Sequence, residues 1–333
     1  MKVSFLVTYY NQQDYVEESM NSILNIKKEF DWEILVGDDG STDGTLEKIE
    51  EFVKIYPDKI KVFIMDREYG KKYDSVKRAS ANRLNLIKNM SGDLFCIIDG
   101  DDYYCDVNFV EQAVKIYEKN CDISVVAFGY KYVKEMVDTK KIMLPKKYSN
   151  KIVDRRIYLM SYYLHAGACV YKKNWGKDRE VYLLELGFYD DNNILINNLN
   201  YGQLYFLPKI VYAYRQNDFS IFNSMNKLEQ AVLNVQGLDI DIKLVNDELK
   251  NSILIRNIFS IKTMFLYRKK LKNVLGEEKY KKYYVACEEI EESLAYSLFK
   301  YDSISIKSKL NIIIMMIECY AKKFFYLLRE KIF

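Results

Sequence analysis

The chain has 333 residues, 49% of them hydrophobic and 29% charged, with 50 Lys and Arg against 47 Asp and Glu for a net charge of +3. That balance is globular rather than disordered, and so small a net charge argues for no nucleic-acid partner. Six scattered cysteines (Cys96, Cys105, Cys121, Cys169, Cys287 and Cys319) form no C-x-x-C pair, which argues against a disulfide framework or zinc site and fits a reducing compartment.

The first apolar run, "VSFLV", is too short for the core of a secretory signal. No stretch reaches the roughly 20 apolar residues of a spanning helix. A cytoplasmic location is expected.

Near-continuous β-branched or aromatic runs at 2–10, 32–39, 59–66, 93–99 and 122–130 read as strands buried on both faces of a parallel sheet. Helical patterns lie between them. In 14–28, Val16, Met20, Ile23 and Leu24 share one face, and Asp14 and Glu17 have the spacing of a capping box. In 43–56, Leu46, Ile49 and Val53 repeat the pattern behind Ser41 or Thr42 as N-cap. Further helices are predicted over 75–90 and 107–119. Strands at 165–173 and 202–215 enclose a helix at 190–199, and past 225 the chain reads as helical. The predicted fold class is α/β, a mostly parallel central sheet flanked by helices plus a C-terminal helical region. The predicted domains are 1–222 and 223–333.

In such sheets ligands bind beyond the carboxyl ends of the strands. Those ends carry Thr8, Tyr10 and Asn11; Asp38 and Asp39; Asp66 and Arg67; and Asp99, Asp101 and Asp102. The last group, in "FCIIDGDDYY", is the most crowded. Two carboxylates about 4 Å apart repel by roughly 4 kcal/mol at an effective dielectric near 20. A plain turn gains nothing from the third charge, whereas Mg²⁺ or Mn²⁺ takes one or two carboxylates together with substrate phosphates. An EF-hand is excluded, because counting from Asp99 puts Tyr104 at position 6 and Val110 at position 12. "DDGSTDGT" (38–45) matches neither the P-loop nor the dinucleotide fingerprint.

"VTYYNQQDYVEESMNSIL", "EILVGDDGSTDGT" and "GDLFCIIDGDDYY", in this order, resemble the family 2 glycosyltransferases of the GT-A fold. The likeness continues through "GFYDDNNILINNLNYGQLYFLPKIVYAYR" and covers about 1–220. The resemblance implies a nucleotide-sugar donor (a UDP-sugar foremost), a Mn²⁺ or Mg²⁺ cofactor and a glycan or lipid-linked acceptor in cell-surface polysaccharide synthesis. It implies that Thr8 and Tyr10 flank the nucleotide base and that Asp39 accepts a hydrogen bond from it. Asp99-Gly-Asp101 matches the D-x-D motif, with Asp99 towards ribose and metal and Asp101 the principal metal ligand. Gly202 lies eleven residues beyond Asp191, the family's spacing, which implies Asp191 as the general base of an inverting transfer. The other reading of Asp191 is a helix cap.

The candidate nucleotide contacts are thus Thr8, Tyr10, Asn11, Asp39, Lys77 and Asp99. Asp190, His165, Arg215 and Asp102 are candidate acceptor or phosphate contacts. Lys77 and Arg78 read equally as a solvated basic face, His165 as a structural residue, and Trp175 as core or as a sugar platform. Asn217 stands where many family members have His two residues after a Tyr-Arg pair, here Tyr214-Arg215. Two alternatives are a nucleotidyltransferase of related design and an inactive sugar-nucleotide-binding scaffold. Residues 251–333 hold 16 Lys and Arg against 9 Asp and Glu. Their last helix reads either as a peripheral membrane contact or as packing on the catalytic domain or a second subunit.

Overall fold

A computed structural model of the chain describes residues 1–257 apart from 69, 135–136, 188 and 217–226, with residues 260, 277, 310, 313, 314, 317 and 321 beyond them. The chain divides into two compact units, residues 1–158 with 162–217, and residues 159–161 with 218–333.

The first unit alternates strands and helices: β1 (Lys2–Tyr9), α1 (Val16–Leu24), β2 (Asp31–Asp38), α2 (Thr45–Ile55), β3 (Ile60–Ile64), α3 (Ser75–Asn89), β4 (Leu94–Asp99), β5 (Tyr103–Tyr104) and α4 (Phe109–Lys119). There follow β6 (Ile123–Lys134), β7 (Val137–Ile142), β8 (Lys151–Val153), α5 (Arg155–Ser161), β9 (Cys169–Lys172), α6 (Lys177–Leu186), α7 (Asp191–Leu199) and β10 (Gln203–Arg215). The sheet order is β3-β2-β1-β4-β9-β6-β10-β5, with β7 on β6 and β8 on β10. β3, β2, β1 and β4 pair in parallel, β6 pairs parallel with β10, and β9 joins the two groups in antiparallel fashion.

Val3, Phe5, Leu6, Val7, Ile34, Leu35, Val36 and the run Leu94–Ile98 are all buried, which is why these segments read as unbroken apolar strings. The register matters more for function. Thr8 lies opposite both Gly37 and Asp99, and Tyr9 lies opposite Asp38. Three strands therefore end on one line, and the residues after them share one edge of the sheet.

Local cap signals were overridden. Instead of the Asp14–Glu17 capping box, α1 starts after Tyr15 with no side-chain cap. The segment before it is held from across the fold, by Gln12 N–H on Thr45 Oγ1 (2.9 Å) and Gln13 N–H on Asp43 Oδ2 (3.2 Å). Helix α2 starts after Gly44, not after Ser41 or Thr42, because the Ser41 amide and hydroxyl are both committed to Asp38 (2.7 and 2.5 Å). The strand expected over 165–173 is only β9, preceded by a 3₁₀ turn at Ala166–Ala168. A Cβ on Gly167 would fall 2.3 Å from the Tyr212 ring, so that turn packs too closely for any other residue. Helix α3 docks comparably, with Asn82 Nδ2 donating to the Gly37 carbonyl at 2.9 Å.

In the second unit α8 (Lys227–Leu244) and α9 (Asp247–Arg256) are described, and Leu249, Ile253 and Leu254 of α9 are buried. The expected helix at the C-terminus and Asn217 lie outside the described residues. Among the described residues no helix is long and apolar enough to cross a membrane.

One buried carboxylate fastens the start of the sheet. Glu33 on β2 accepts from Ser4 Oγ (2.7 Å), the Ser91 amide (2.7 Å) and Lys2 Nζ (3.0 Å). Burial alone would raise its pKa, but these bonds bring it down to about 2. A depressed carboxyl pKa stabilises the fold above the unfolded value and loses that contribution as pH falls through the folded one. Glu33→Gln is expected to cost on the order of 1–2 kcal/mol at pH 7 after solvent screening, a difference that shrinks between pH 5 and pH 2. Urea denaturation of both proteins across that range measures it.

Candidate active site

The aspartates after β4 meet three different fates. Asp102 is 1% exposed. Its Oδ2 accepts from Tyr212 Oη at 2.6 Å and its Oδ1 from the Arg215 amide at 2.7 Å. It faces β10 rather than open solvent, and burial together with Asp101 and Asp99 pushes its pKa well up. Asp99 Oδ1 accepts from Thr8 Oγ1 (3.2 Å) and Arg83 Nη2 (2.8 Å). Burial raises the Asp99 pKa, but the Arg83 guanidinium more than offsets it and holds the group below its ordinary range. Asp101 is pushed up to about 6 by burial and by the charge of Asp99. The turn is tight: a Cβ on Gly100 would meet the Tyr9 ring at 2.1 Å.

Asp191 is the first residue of α7, and Asp190 before it caps the helix. Asn193 N–H donates to Asp190 Oδ1 (2.8 Å), and the Asn193 side chain accepts from the Asp190 amide (2.9 Å). Capping therefore falls to Asp190 and not to Asp191, and this is the role the structure gives Asp190. Asp191 Oδ1 lies 3.0 Å from Arg83 Nη2. One guanidinium thus stands between the end of β4 and the start of α7. Burial lifts Asp191 to about 7, with Arg83 pulling it down and Asp99 and Asp190 pushing it up. Burial opposes the charge of Arg83, but Asp191 and Asp99 keep it firmly protonated.

Asp39, after β2, is 5% exposed and clamped by two arginines. Arg78 Nε lies 2.6 Å from Oδ1, and Arg67 Nη2 donates to Oδ2. Arg78 is therefore not part of a solvated face, since its side chain is 15% exposed and turned inward. Lys77 beside it is exposed on the first turn of α3. The Tyr10 ring is 43% exposed and lies 3.9 Å beneath the Arg67 guanidinium, an arrangement that favours a flat cationic stack. Asn11 adopts a left-handed φ of 50°, which Asn tolerates. It holds the next loop, with its amide on Ser41 Oγ (2.9 Å) and its Oδ1 accepting from Thr42 N–H (2.8 Å).

His165 is buried, accepts from Gly167 N–H at Nδ1 (3.1 Å) and stacks on Tyr212 with centroids 4.8 Å apart. Burial lowers it to about 4, so it is neutral at pH 7. Arg215 Nε donates to the Asp101 carbonyl at 2.8 Å, and its Nη2 donates to Glu18 on α1. Trp175 is buried edge-on against Phe95 at 5.7 Å, as core. Arg83 and the clamping role of Arg78 escape sequence reading. Both sit on α3, whose inner face mixes Ser80 and Asn82 with Leu84 and Ile87, so no clean apolar stripe marks which side faces the sheet.

The donor set suits a divalent cation only in part. Among the described residues no cluster of three or more His, Cys, Asp or Glu could hold a metal by itself. Asp101 with Asp99 supplies the one or two carboxylates that Mg²⁺ or Mn²⁺ takes when phosphates complete its shell. Burial first, and then the charge of Asp99, raise the pKa of Asp101, and a cation would offset both.

Residues 4–178 match Glycosyl transferase family 2. The dolichol-phosphate mannosyltransferase of Pyrococcus furiosus is 35% identical over 101 residues, 30% of this chain and 26% of that protein. The putative teichuronic acid biosynthesis glycosyltransferase TuaG of Bacillus subtilis is 27% identical over 119 residues, 36% of this chain and 43% of the relative. The chain thus spans less than half the length of these curated relatives. Among solved structures, S. aureus TarS 1–349 in complex with UDP-GlcNAc superposes with a TM-score of 0.57 at 17% identity, covering 88% of this chain and 82% of that one. The mannosyltransferase PcManGT of Pyrobaculum calidifontis, with GDP-Man and Mn²⁺, gives 0.51 at 16% identity, covering 96% and 86%. These structures share the GT-A fold, and the matched segment takes in β1 to β4 with all three aspartates of the β4 turn. The chain belongs to glycosyl transferase family 2.

Proposed function

We propose that the protein transfers a sugar from a nucleotide-diphosphate donor, a UDP-sugar foremost, to a hydroxyl of a glycan or lipid-linked acceptor, with inversion and with Mn²⁺ or Mg²⁺. The observation that carries this reading is the Asp99–Arg83–Asp191 bridge, which brings a strand-end carboxylate and a helix-start carboxylate to one guanidinium. Relatives named for teichuronic acid biosynthesis and for dolichol-phosphate mannosyl transfer support the acceptor class.

Asp39, fixed by Arg67 and Arg78, takes the base edge, and the exposed Tyr10 ring with Thr8 borders it. Asn11 shapes the loop beside them, and in this reading Lys77, exposed on the first turn of α3, contacts phosphate. Asp101 and Asp99 would hold the cation, which when bound supplies charge neutralisation for the leaving diphosphate. Asp191 accepts the proton of the attacking acceptor hydroxyl. A carboxyl group lifted to about 7 is a stronger base than an ordinary aspartate and still half ionised at neutral pH. Arg83 keeps Asp191 oriented and limits how far its pKa rises.

A thermal-shift panel of UDP, GDP, dTDP and CMP, with and without Mn²⁺, tests the binding half. One nucleotide is expected to stabilise the protein, and only with metal; no response to any of them would overturn the reading. Asp101→Asn is expected to remove that shift and the transfer activity together. Asp191→Asn should leave the shift intact and cut turnover by at least 10²-fold; wild-type turnover in this variant would remove Asp191 from the role of base.

The ionisation of Asp191 also sets a pH dependence. The base is active when deprotonated, so turnover should climb between pH 6 and pH 8. In Arg83→Met the counter-charge is gone, Asp191 protonates more readily, and the acid limb should move to higher pH. Arg83→Lys should restore most of the wild-type position. Initial-rate profiles of the three proteins make the comparison.

A further inference from the structure

We propose that residues 139–153 form a docking surface for an anionic lipid interface. The segment "TKKIMLPKKYSNKIV" contains five lysines and no Asp or Glu. Lys140, Lys141, Lys146, Lys147 and Lys151 are all exposed, and none has an acidic partner among the described residues. Among the described residues the neighbouring carboxylates are already engaged. Lys131 lies directly opposite Lys141 in the β6–β7 ladder, a like-charge register that opposes pairing. Asp138 is taken by Lys131 at 2.8 Å and Asp154 by Arg156 at 2.8 Å.

The segment is anchored at both ends, so its lysines project from a rigid base. β7 hangs on β6 and β8 on β10, and β6 and β10 are neighbours, so the strap crosses about 14 Å of sheet. At its middle, Met143 and the Ile142 carbonyl approach so closely that a Cβ on Gly129 would meet them at 2.7 and 3.0 Å. Before β8, Asn150 N–H donates to the Phe206 carbonyl at 2.9 Å, and Tyr205 Oη donates to the Asn150 carbonyl at 2.9 Å.

Charge alone suits either a soluble polyanion or a membrane. The apolar side chains favour the membrane. Val137 beside the strap is 63% exposed, and Met143 and Ile152 within it are 41% and 49% exposed. A polar polymer would leave these three in water, whereas a headgroup layer accepts lysines while its acyl boundary takes aliphatic side chains. Each lysine near an anionic surface strengthens binding by about fivefold. The inference is independent of the transfer reaction, because none of these residues lies among the proposed catalytic or nucleotide contacts.

Flotation of the full chain with vesicles of phosphatidylcholine, alone or mixed with phosphatidylglycerol, tests it. The protein is expected to float with the anionic vesicles only and to be released by high salt. Lys146→Gln with Lys147→Gln should weaken partitioning about 25-fold. Lys54→Gln with Lys88→Gln, equal charge loss at exposed sites on α2 and α3, should leave it nearly unchanged. Met143→Ser with Ile152→Ser should weaken vesicle binding but not retention on immobilised polyphosphate. Equal flotation with neutral vesicles, or an equal loss in the two lysine pairs, would overturn the proposal. So would binding to polyphosphate without binding to vesicles, which would assign the surface to a soluble polyanion.

Discussion

Mutual repulsion among the aspartates that end β4 is the constraint around which the catalytic unit is arranged. Three carboxylates in four residues cannot all ionise in a partly buried turn without counter-charges or hydrogen-bond donors. Each is treated differently. Asp102 is turned inward onto a tyrosine hydroxyl and a backbone amide of β10. Asp99 is held by Thr8 and Arg83, and Asp101 keeps an elevated pKa. Settling these charges also ties the fold together. Arg215 joins β10 to the turn and to α1, and Arg83 draws α3 and α7 to the end of β4.

Helix α3 is central to that arrangement. Its Arg78 clamps Asp39 and its Arg83 bridges Asp99 and Asp191. One helix, fixed to the sheet by Asn82 on Gly37, thus supplies counter-charges to carboxylates from two strands and another helix. A guanidinium suits this work because it is planar, carries five donors and stays ionised when buried. The same logic separates Asp190 from Asp191. Adjacent carboxyl groups at a helix start would compete for the same amides, but Asp190 takes the cap and leaves Asp191 directed at Arg83.

Legibility in the sequence followed the range of the forces involved. β1, β2 and β4 were readable to within a residue because strands buried on both faces are continuous apolar strings. Helices α1, α2 and α4 were readable because their apolar stripes are periodic. The caps of α1 and α2 were misplaced because Thr45, Asp43 and Asp38 hold the preceding segments through bonds that local propensity does not contain. β5, β7 and β8 were not anticipated at all. They are short or polar, and they exist because β6 and β10 offer edges to pair with. The positions of Asp102 and Asn11 after strands are legible in the sequence, but their contacts with Tyr212 and the Arg215 amide, and with Ser41 and Thr42, are not.

By itself the sequence determined the α/β class, the strand ends at which polar chemistry gathers, and the family to which those motifs belong. All of that follows from hydrophobic periodicity and from short motifs within single segments. Only the tertiary structure decided which carboxylates are spent on structure and which guanidiniums neutralise the others. Those pairings join residues 39 with 67 and 78, and 83 with 99 and 191. Coulomb interactions depend on distance in space, and that distance is set by sheet register and helix docking rather than by position along the chain.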